Sequence, residues 1–414
     1  MLSKETRRAA MTLTAIANAR LFDGEKSLGV RTVVLDGTRI VQVGGEIPAG
    51  SEIVDGAGAT LLPGLIDAHV HSAPGSLALA LRFGVTTELE MQGMNTRENR
   101  AHLTDDDTVA DVRSAGFGIT PPGGHPSELM PEGFRPKWEL PPVMPVMPFS
   151  TTPEEAAAFV PQLLARGSDF IKFMIDDGSV EGHPGLPCLD QATVNAGVAE
   201  AKKYGALTVA HALTAEATRM AVEAGIDGLA HVFMDEPHTP EIIRLVKDAG
   251  MFVIPCITLN ASLMGITGSA LADDPRVASR LDREWDETLR SSYNRYPQGK
   301  LEDVYGTVRA LDAAGVDVLA GTDVSMPETF FGGLAHGASL HHELQYLVEA
   351  GLTPERALRA ATATAARRFR LSDRGRVAEG LRADLLLVDG DPTSNISDTL
   401  NTRAIWRRGA RLAE

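Results

Sequence analysis

Cysteine is almost absent: Cys188 and Cys256 are the only two in 414 residues. Two distant thiols cannot build a disulfide framework, and without a CxxC there is no cysteine zinc or redox motif. No apolar run approaches the roughly 18 residues that a membrane helix needs. Basic charge is also short, with 39 Lys and Arg against 55 Asp and Glu and a formal charge of −16. So acidic a chain is repelled by phosphate backbones and anionic lipid, which argues against nucleic-acid and membrane-surface partners. Lys4, Arg7 and Arg8 are followed only by Ala9–Met11, too short for a signal-peptide core, so a cytoplasmic location is expected. What remains is ordinary globular material, 43% hydrophobic and 23% charged, long enough for two or three domains and a large core.

The middle of the chain repeats one pattern: a helical stretch, a glycine, then a short apolar run. It occurs at Phe83, Ala115, Arg166, Tyr204, Ala224, Ala249 and Ala314. Glycine supplies the left-handed conformation that ends a helix and turns the chain into the next strand. The apolar runs are of a length suited to buried parallel strands. With LLPGLIDAHVH (Leu61–His71) in front, eight strands alternate with helices over roughly 300 residues, which predicts an α/β fold of the (β/α)8 TIM-barrel type. A doubly wound open sheet gives the same alternation, but no GxGxxG follows the first strand.

The two ends differ from this middle. TVVLDGTRIVQVGG places strand-like runs about Asp36-Gly37, a hairpin signal, and RADLLLVDGDP and TRAIWRRGARL are strand-like near the other terminus. We expect residues 1–62 and 375–414 to pair into one small β-sandwich domain, with 63–374 forming the barrel.

Chemistry-bearing residues recur at the ends of the expected strands. His69 and His71 are two apart, so one strand face presents both imidazoles. His211 ends TVAH, His231 ends GLAH and Asp323 ends AGTD. Taken singly, each is as easily a core histidine or a helix-capping aspartate. Gathered on one barrel rim, they form a donor set suited to zinc or a similar divalent ion. Lys172 stands inside the apolar Phe170–Ile175. Burial there would drive the lysine toward the neutral amine, which can capture carbon dioxide as a carbamate. The plainer alternative is a snorkelling lysine at a strand end.

These pieces resemble the amidohydrolase superfamily, in its imidazolonepropionase-like and metal-dependent prolidase-like branch. The resemblance lies in PGLIDAHVH (Pro63–His71), GVTT (Gly84–Thr87), SDFIKFM (Ser168–Met174), VAHA (Val209–Ala212), AHVF (Ala230–Phe233) and GTD (Gly321–Asp323). It continues through HHELQYLVEAGLTPERALRAATATAAR (His341–Arg367) and RGRVAEGLRADLLLVDGDP (Arg374–Pro392). The resemblance implies two divalent metal ions, Zn²⁺ first among them. His69, His71 and Asp323 would hold one, His211 and His231 the other, and Lys172 carboxylated by carbon dioxide would bridge them beside a hydroxide. It also implies that Asp323 shuttles the proton during attack on an amide or peptide-like C–N bond, in a dipeptidase-like or aryl-amide hydrolase. The chain departs from the family where His231 is followed by Val232-Phe233 and where Glu88-Leu89-Glu90 follows GVTT. The first bears on pocket shape and the second on substrate contacts.

Specificity is expected on loops after the strands. Pro121–Pro148 holds nine prolines with Met130, Phe134, Trp138, Met144 and Met147, either a stiff apolar wall over the pocket or a packed connection. His125 in this loop is the expected substrate contact. Thr258–Lys300 could bring Tyr293, Arg295 or Tyr296 near the mouth, where an arginine would suit a substrate carboxylate, but the reading taken is a surface helix. Of the tandem His341-His342 at least one is expected to be structural. The partner expected is a small, partly apolar molecule, the chain itself assembling as a homo-oligomer. Alternatives are hydrolysis of carbamates, lactones or organophosphate esters, and a barrel scaffold without chemistry.

Overall fold

The computed structural model describes residues 13–103, 105–135 and 143–413; Lys4, Arg7, Arg8 and Trp138 lie outside them. Five strands come first: β1 (Thr14–Phe22), β2 (Ser27–Asp36), β3 (Arg39–Val43), β4 (Glu52–Asp55) and β5 (Ala59–Pro63). Eight parallel strands follow. They are β6 (Leu65–Val70), β7 (Val85–Glu90), β8 (Asp111–Ser114), β9 (Ile171–Met174), β10 (Thr208–His211), β11 (Gly228–Ala230), β12 (Phe252–Ile254) and β13 (Asp317–Val318). The last three, β14 (Leu385–Asp389), β15 (Thr402–Arg407) and β16 (Ala410–Arg411), return to the first group.

The helix–glycine–strand pattern forms as read. Thr214 caps the helix Ala215–Ala224 by accepting from the Ala217 N–H, and Gly225 ends it at φ +71°. Thr239 does the same for Pro240–Asp248 through the Ile242 N–H. Among the described residues between β7 and β8 the crossover holds a single 3₁₀ turn, Ala101–Leu103, and no longer helix. Strands β6–β8 form one parallel sheet and β9–β13 another. Single bridges join their edges, Ile119 to Phe173 on one side and Val70 to Val324 on the other.

The third strand is displaced from where the glycine rule put it. It is Asp111–Ser114, ahead of Ala115, and of the expected run only Ile119 and Thr120 bridge. Its polar members hid it, because Asp111 is neutralised by Arg374, far away in sequence.

The chain ends pair with each other: β14 lies antiparallel to β5, Leu385 opposite Pro63. The expected sandwich is corrected to one continuous eight-stranded sheet, in the order β16-β15-β14-β5-β1-β2-β3 with β4 branching from β1. The branch has a local cause. Register shifts after Ile16 and Arg20 bend β1, so it pairs with β4 through Thr14–Ala17 and with β5 through Arg20–Leu21. Ile16, Leu21, Val33, Leu61, Leu385 and Trp406 pack into this sheet's own core. A much larger core fills the space between the parallel strands and their helices.

Candidate metal centre

Every expected donor arises from the C-terminal end of a parallel strand. His69 lies in β6 and His71 one residue past it, Lys172 is in β9, His211 closes β10, and His231 follows β11. Asp323 comes five residues after β13. Two of these residues are bent out of extended backbone, His231 at φ +79° and Asp323 at φ +63°. Left-handed backbone at a non-glycine residue is strained and tends to collect at functional sites.

The alternation in β6 does bring its two imidazoles to one acceptor. His69 Nε2 lies 2.8 Å and His71 Nε2 2.7 Å from Asp323 Oδ1, while His231 Nε2 lies 4.0 Å from Asp323 Oδ2. The rings of His69 and His231 are 4.8 Å apart, and those of His231 and His211 4.7 Å. Lys172, His69, His71, His211 and Asp323 all face one cavity of about 500 Å³.

The charge states suit metal donors. Burial pushes His69 down to about 3, against the pull of Asp323, and drives His211 and His231 well below the ordinary imidazole value. Neutral imidazoles are the form that binds a cation. Burial also opposes ionisation of Asp323, but the adjoining His69 and His71 outweigh it and hold the carboxyl well below its usual range. Lys172 is brought down to about 8 by burial, Asp323 opposing.

Within this donor set, among the described residues, three buried nitrogens have no hydrogen-bond partner: Lys172 Nζ and both ring nitrogens of His231. Each orphan of this kind costs roughly 1–3 kcal/mol. A divalent ion held by these donors would satisfy such groups. The donors present therefore fit the group that the sequence pattern implies.

Around the donors stand residues that sequence reasoning missed. Asp176 Oδ2 is 2.7 Å from His211 Nε2, a carboxylate that fixes the ring and leaves Nδ1 as its free nitrogen. Its signal was available: Asp176 stands two residues past β9 on the active rim. Cys256, at φ +51°, places Sγ 3.4 Å from His69 Nδ1. Gln92 offers its carbonyl oxygen 2.9 Å from His71 Nδ1. Asp67 accepts from the His69 and Thr322 N–H groups and from the Thr322 hydroxyl, tying β6 to the chain beyond β13.

His125 does reach the cavity, but in company. Its Nδ1 lies 2.7 Å from Glu128 Oε1 and 2.6 Å from Glu181 Oε2, and its ring stacks 4.2 Å from His211. Burial disfavours the imidazolium, yet Glu181 and Glu128 outweigh it and raise His125 well above its ordinary value. Tyr293 also lines the cavity, from an irregular stretch after the helix Arg283–Leu289, which corrects the surface-helix reading there. Arg295 and Tyr296 are not among the lining residues. Of the proline-rich loop, Pro126, Leu129 and Met130 form cavity wall, whereas Met144 and Met147 are exposed.

Other acids and histidines are structural. Glu88 pairs with His336 and Glu90 accepts from Ser114 and Asn95, so neither is the substrate contact that the departure after GVTT raised. His341 bridges the Phe83 carbonyl and the Thr399 hydroxyl, and His342 stacks on Tyr346.

Parallel strands that carry clustered imidazole and carboxylate donors at one end make an α/β fold with a candidate metal-binding rim. The Amidohydrolase family model matches residues 60–407, and the chain belongs to that family, whose members it joins as a hydrolase acting on C–N bonds. It is similar to an allantoinase of Solibacter usitatus (strain Ellin6076), 25% identical over 91% of this chain and 84% of that protein. It is also similar to an imidazolonepropionase of Cereibacter sphaeroides (strain ATCC 17029 / ATH 2.4.9), 36% identical over 25% of this chain and 22% of that protein. Matches to adenine deaminases and imidazolonepropionases each span less than a quarter of the relative's length. A crystal structure of a Xaa-Pro dipeptidase with bound methionine shares the fold, with TM-score 0.73 and 24% identity over 97% of this chain and 100% of that one. Among the described residues no helix is long and apolar enough to cross a membrane.

Proposed function

We propose that this chain is a binuclear metal-dependent hydrolase that cleaves an amide or peptide-like C–N bond in a small, partly apolar molecule. Its two bridged sheets would act as one (β/α)8 barrel with the site at its C-terminal mouth. The observation that carries the reading is the meeting of four imidazoles, a buried amine and Asp323, five of the six facing one cavity and His231 packed beside them, three of the nitrogens lacking a hydrogen-bond partner among the described residues. His69, His71 and Asp323 would hold one divalent ion and His211 and His231 the other, with carboxylated Lys172 between them. Zn²⁺ suits this donor set. Bound metals supply Lewis acidity and make water acidic near neutral pH.

The chain's own groups do the rest. Asp323, anionic and beside His69 and His71, takes a proton from the attacking water and returns it to the departing nitrogen, serving as base and then acid. Asp176 keeps the His211 ring from turning. The apolar walls hold the substrate and keep bulk water from the reacting carbonyl.

The test is metal analysis of the purified protein coupled to amide turnover. About two divalent ions per chain, with activity lost to a chelator and restored by Zn²⁺, Mn²⁺ or Co²⁺, is the expected result. Full activity in metal-free protein would overturn the reading.

A further inference from the structure

The cavity has two chemically distinct parts. Its floor is the donor cluster; its walls are apolar, built by Leu77, Phe117, Leu129, Met130, Met326 and Phe331. Among the described residues no arginine lines it, and its single lysine is Lys172. Outside the donor cluster the imidazoles are the exposed His102 and the buried His125. His125 could serve as a cationic anchor, but its Nδ1 is already shared by two carboxyl groups, at 2.7 and 2.6 Å. One of these, Glu181, itself lines the cavity.

The wall thus carries one acid, Glu181, beside a buried imidazole whose Nδ1 a second acid, Glu128, also holds from behind it. Away from the donor floor, a substrate carboxylate in this chamber would lose its hydration, meet no arginine or lysine among the described wall residues and approach Glu181. An unpaired buried charge is strongly disfavoured, and a site rejects most sharply the analogue whose polar group it cannot match. An uncharged aryl or alkyl group loses nothing on entry and gains contact with adaptable methionine and phenylalanine surface. A chamber of about 500 Å³ holds a molecule of some ten to twenty heavy atoms.

Resting on the proposed C–N hydrolysis, we propose that the substrates are uncharged apolar amides, with an aryl or alkyl group and no free carboxylate on either side of the scissile bond. Free dipeptides and N-acyl amino acids are thereby excluded.

The experiment compares matched anilides on the metal-loaded enzyme. 4-Methylacetanilide is set against 4-acetamidobenzoate, so that methyl and carboxylate differ on the amine side. N-(4-methylphenyl)pentanamide against N-(4-methylphenyl)succinamate tests the acyl side. We expect kcat/KM to favour the neutral member of each pair by about 100-fold or more, and Glu181→Gln to narrow the ratio by about tenfold. Equal or preferred turnover of either carboxylate would overturn the inference while leaving C–N hydrolysis intact. Calorimetric binding of the same pairs to the metal-loaded Asp323→Asn variant reads the preference without turnover. Neutral-selective binding with no amide cleaved by the wild-type enzyme would sink the proposed reaction and the amide assignment with it, leaving only the chamber's exclusion of carboxylates. Undetectable binding of the neutral members would sink the inference.

Discussion

Lys172 and Asp323 carry most of the chemical weight. Lys172 is an amine with no partner, and Asp323 is an anion shared by two imidazoles. Lys172→Ala removes the one group that can bridge two cations, so the variant should lose at least one metal equivalent and most of its turnover. Elemental analysis beside a rate measurement checks this, and near-wild-type turnover would show that the lysine bridges nothing. Asp323→Asn keeps the shape but cannot accept a proton. Its kcat should fall by about 10²- to 10⁴-fold, and a threefold drop would move the proton transfer to another residue. At this scale the sequence was most informative: five of the six donors face one cavity, and His231 packs beside them against His69 and His211. Asp176 and Cys256 were not recognised, because each acts through a histidine that only folding brings beside it.

At the scale of elements, glycines set how closely strands approach the donors. A Cβ on Gly321 would lie 2.5 Å from Ile254 Cγ2 and 2.8 Å from the His69 backbone nitrogen. Neither neighbour can yield without shifting β6 or β12. Gly321→Ala should therefore weaken metal binding as well as stability, and a metal titration of wild-type affinity would contradict that. The helix Ala338–Glu349 holds a different device. Burial lowers its His341 from an imidazole's 6.5 to about 4, so this histidine stays neutral in the fold where an unfolded chain would take up a proton. The stability it contributes is complete above pH 6.5 and is lost as the pH falls from 6.5 toward 4. The shift corresponds to about 3 kcal/mol. Denaturant unfolding at pH 7.5 and pH 4.5 should reveal this loss, and His341→Gln should flatten the difference.

Across the whole molecule, the parallel strands and the end sheet are clamped by buried ions. Asp111 in β8 pairs with Arg374 and Arg382, and Asp384 beside β14 pairs with Arg382 and Arg407. Burial alone would raise Asp111, but Arg374, Arg113 and Arg382 hold it well below the usual carboxylate range. Asp111→Asn strands Arg374 without its nearest anion, and breaking a buried pair costs about 3–5 kcal/mol. Equilibrium unfolding should register that loss, and a change under 1 kcal/mol would mean that the network relaxes onto Asp373. This network also explains why β8 escaped notice, since local hydrophobicity says nothing about a charge neutralised some 260 residues away.

The sequence by itself determined the alternation of helix, glycine and strand, the hairpin at Asp36-Gly37, the pairing of the chain ends and the strand-end placement of the donors. All but the pairing of the ends follow from short-range rules, namely strand alternation, helix caps and the turn preference of glycine; that pairing follows from the closeness of a domain's chain ends. Only the tertiary structure decided that the ends form one branched sheet, that β8 precedes its glycine, and that His125 is held between two acids. Each of those outcomes depends on charges and registers from distant parts of the chain, and no window of neighbouring residues contains them.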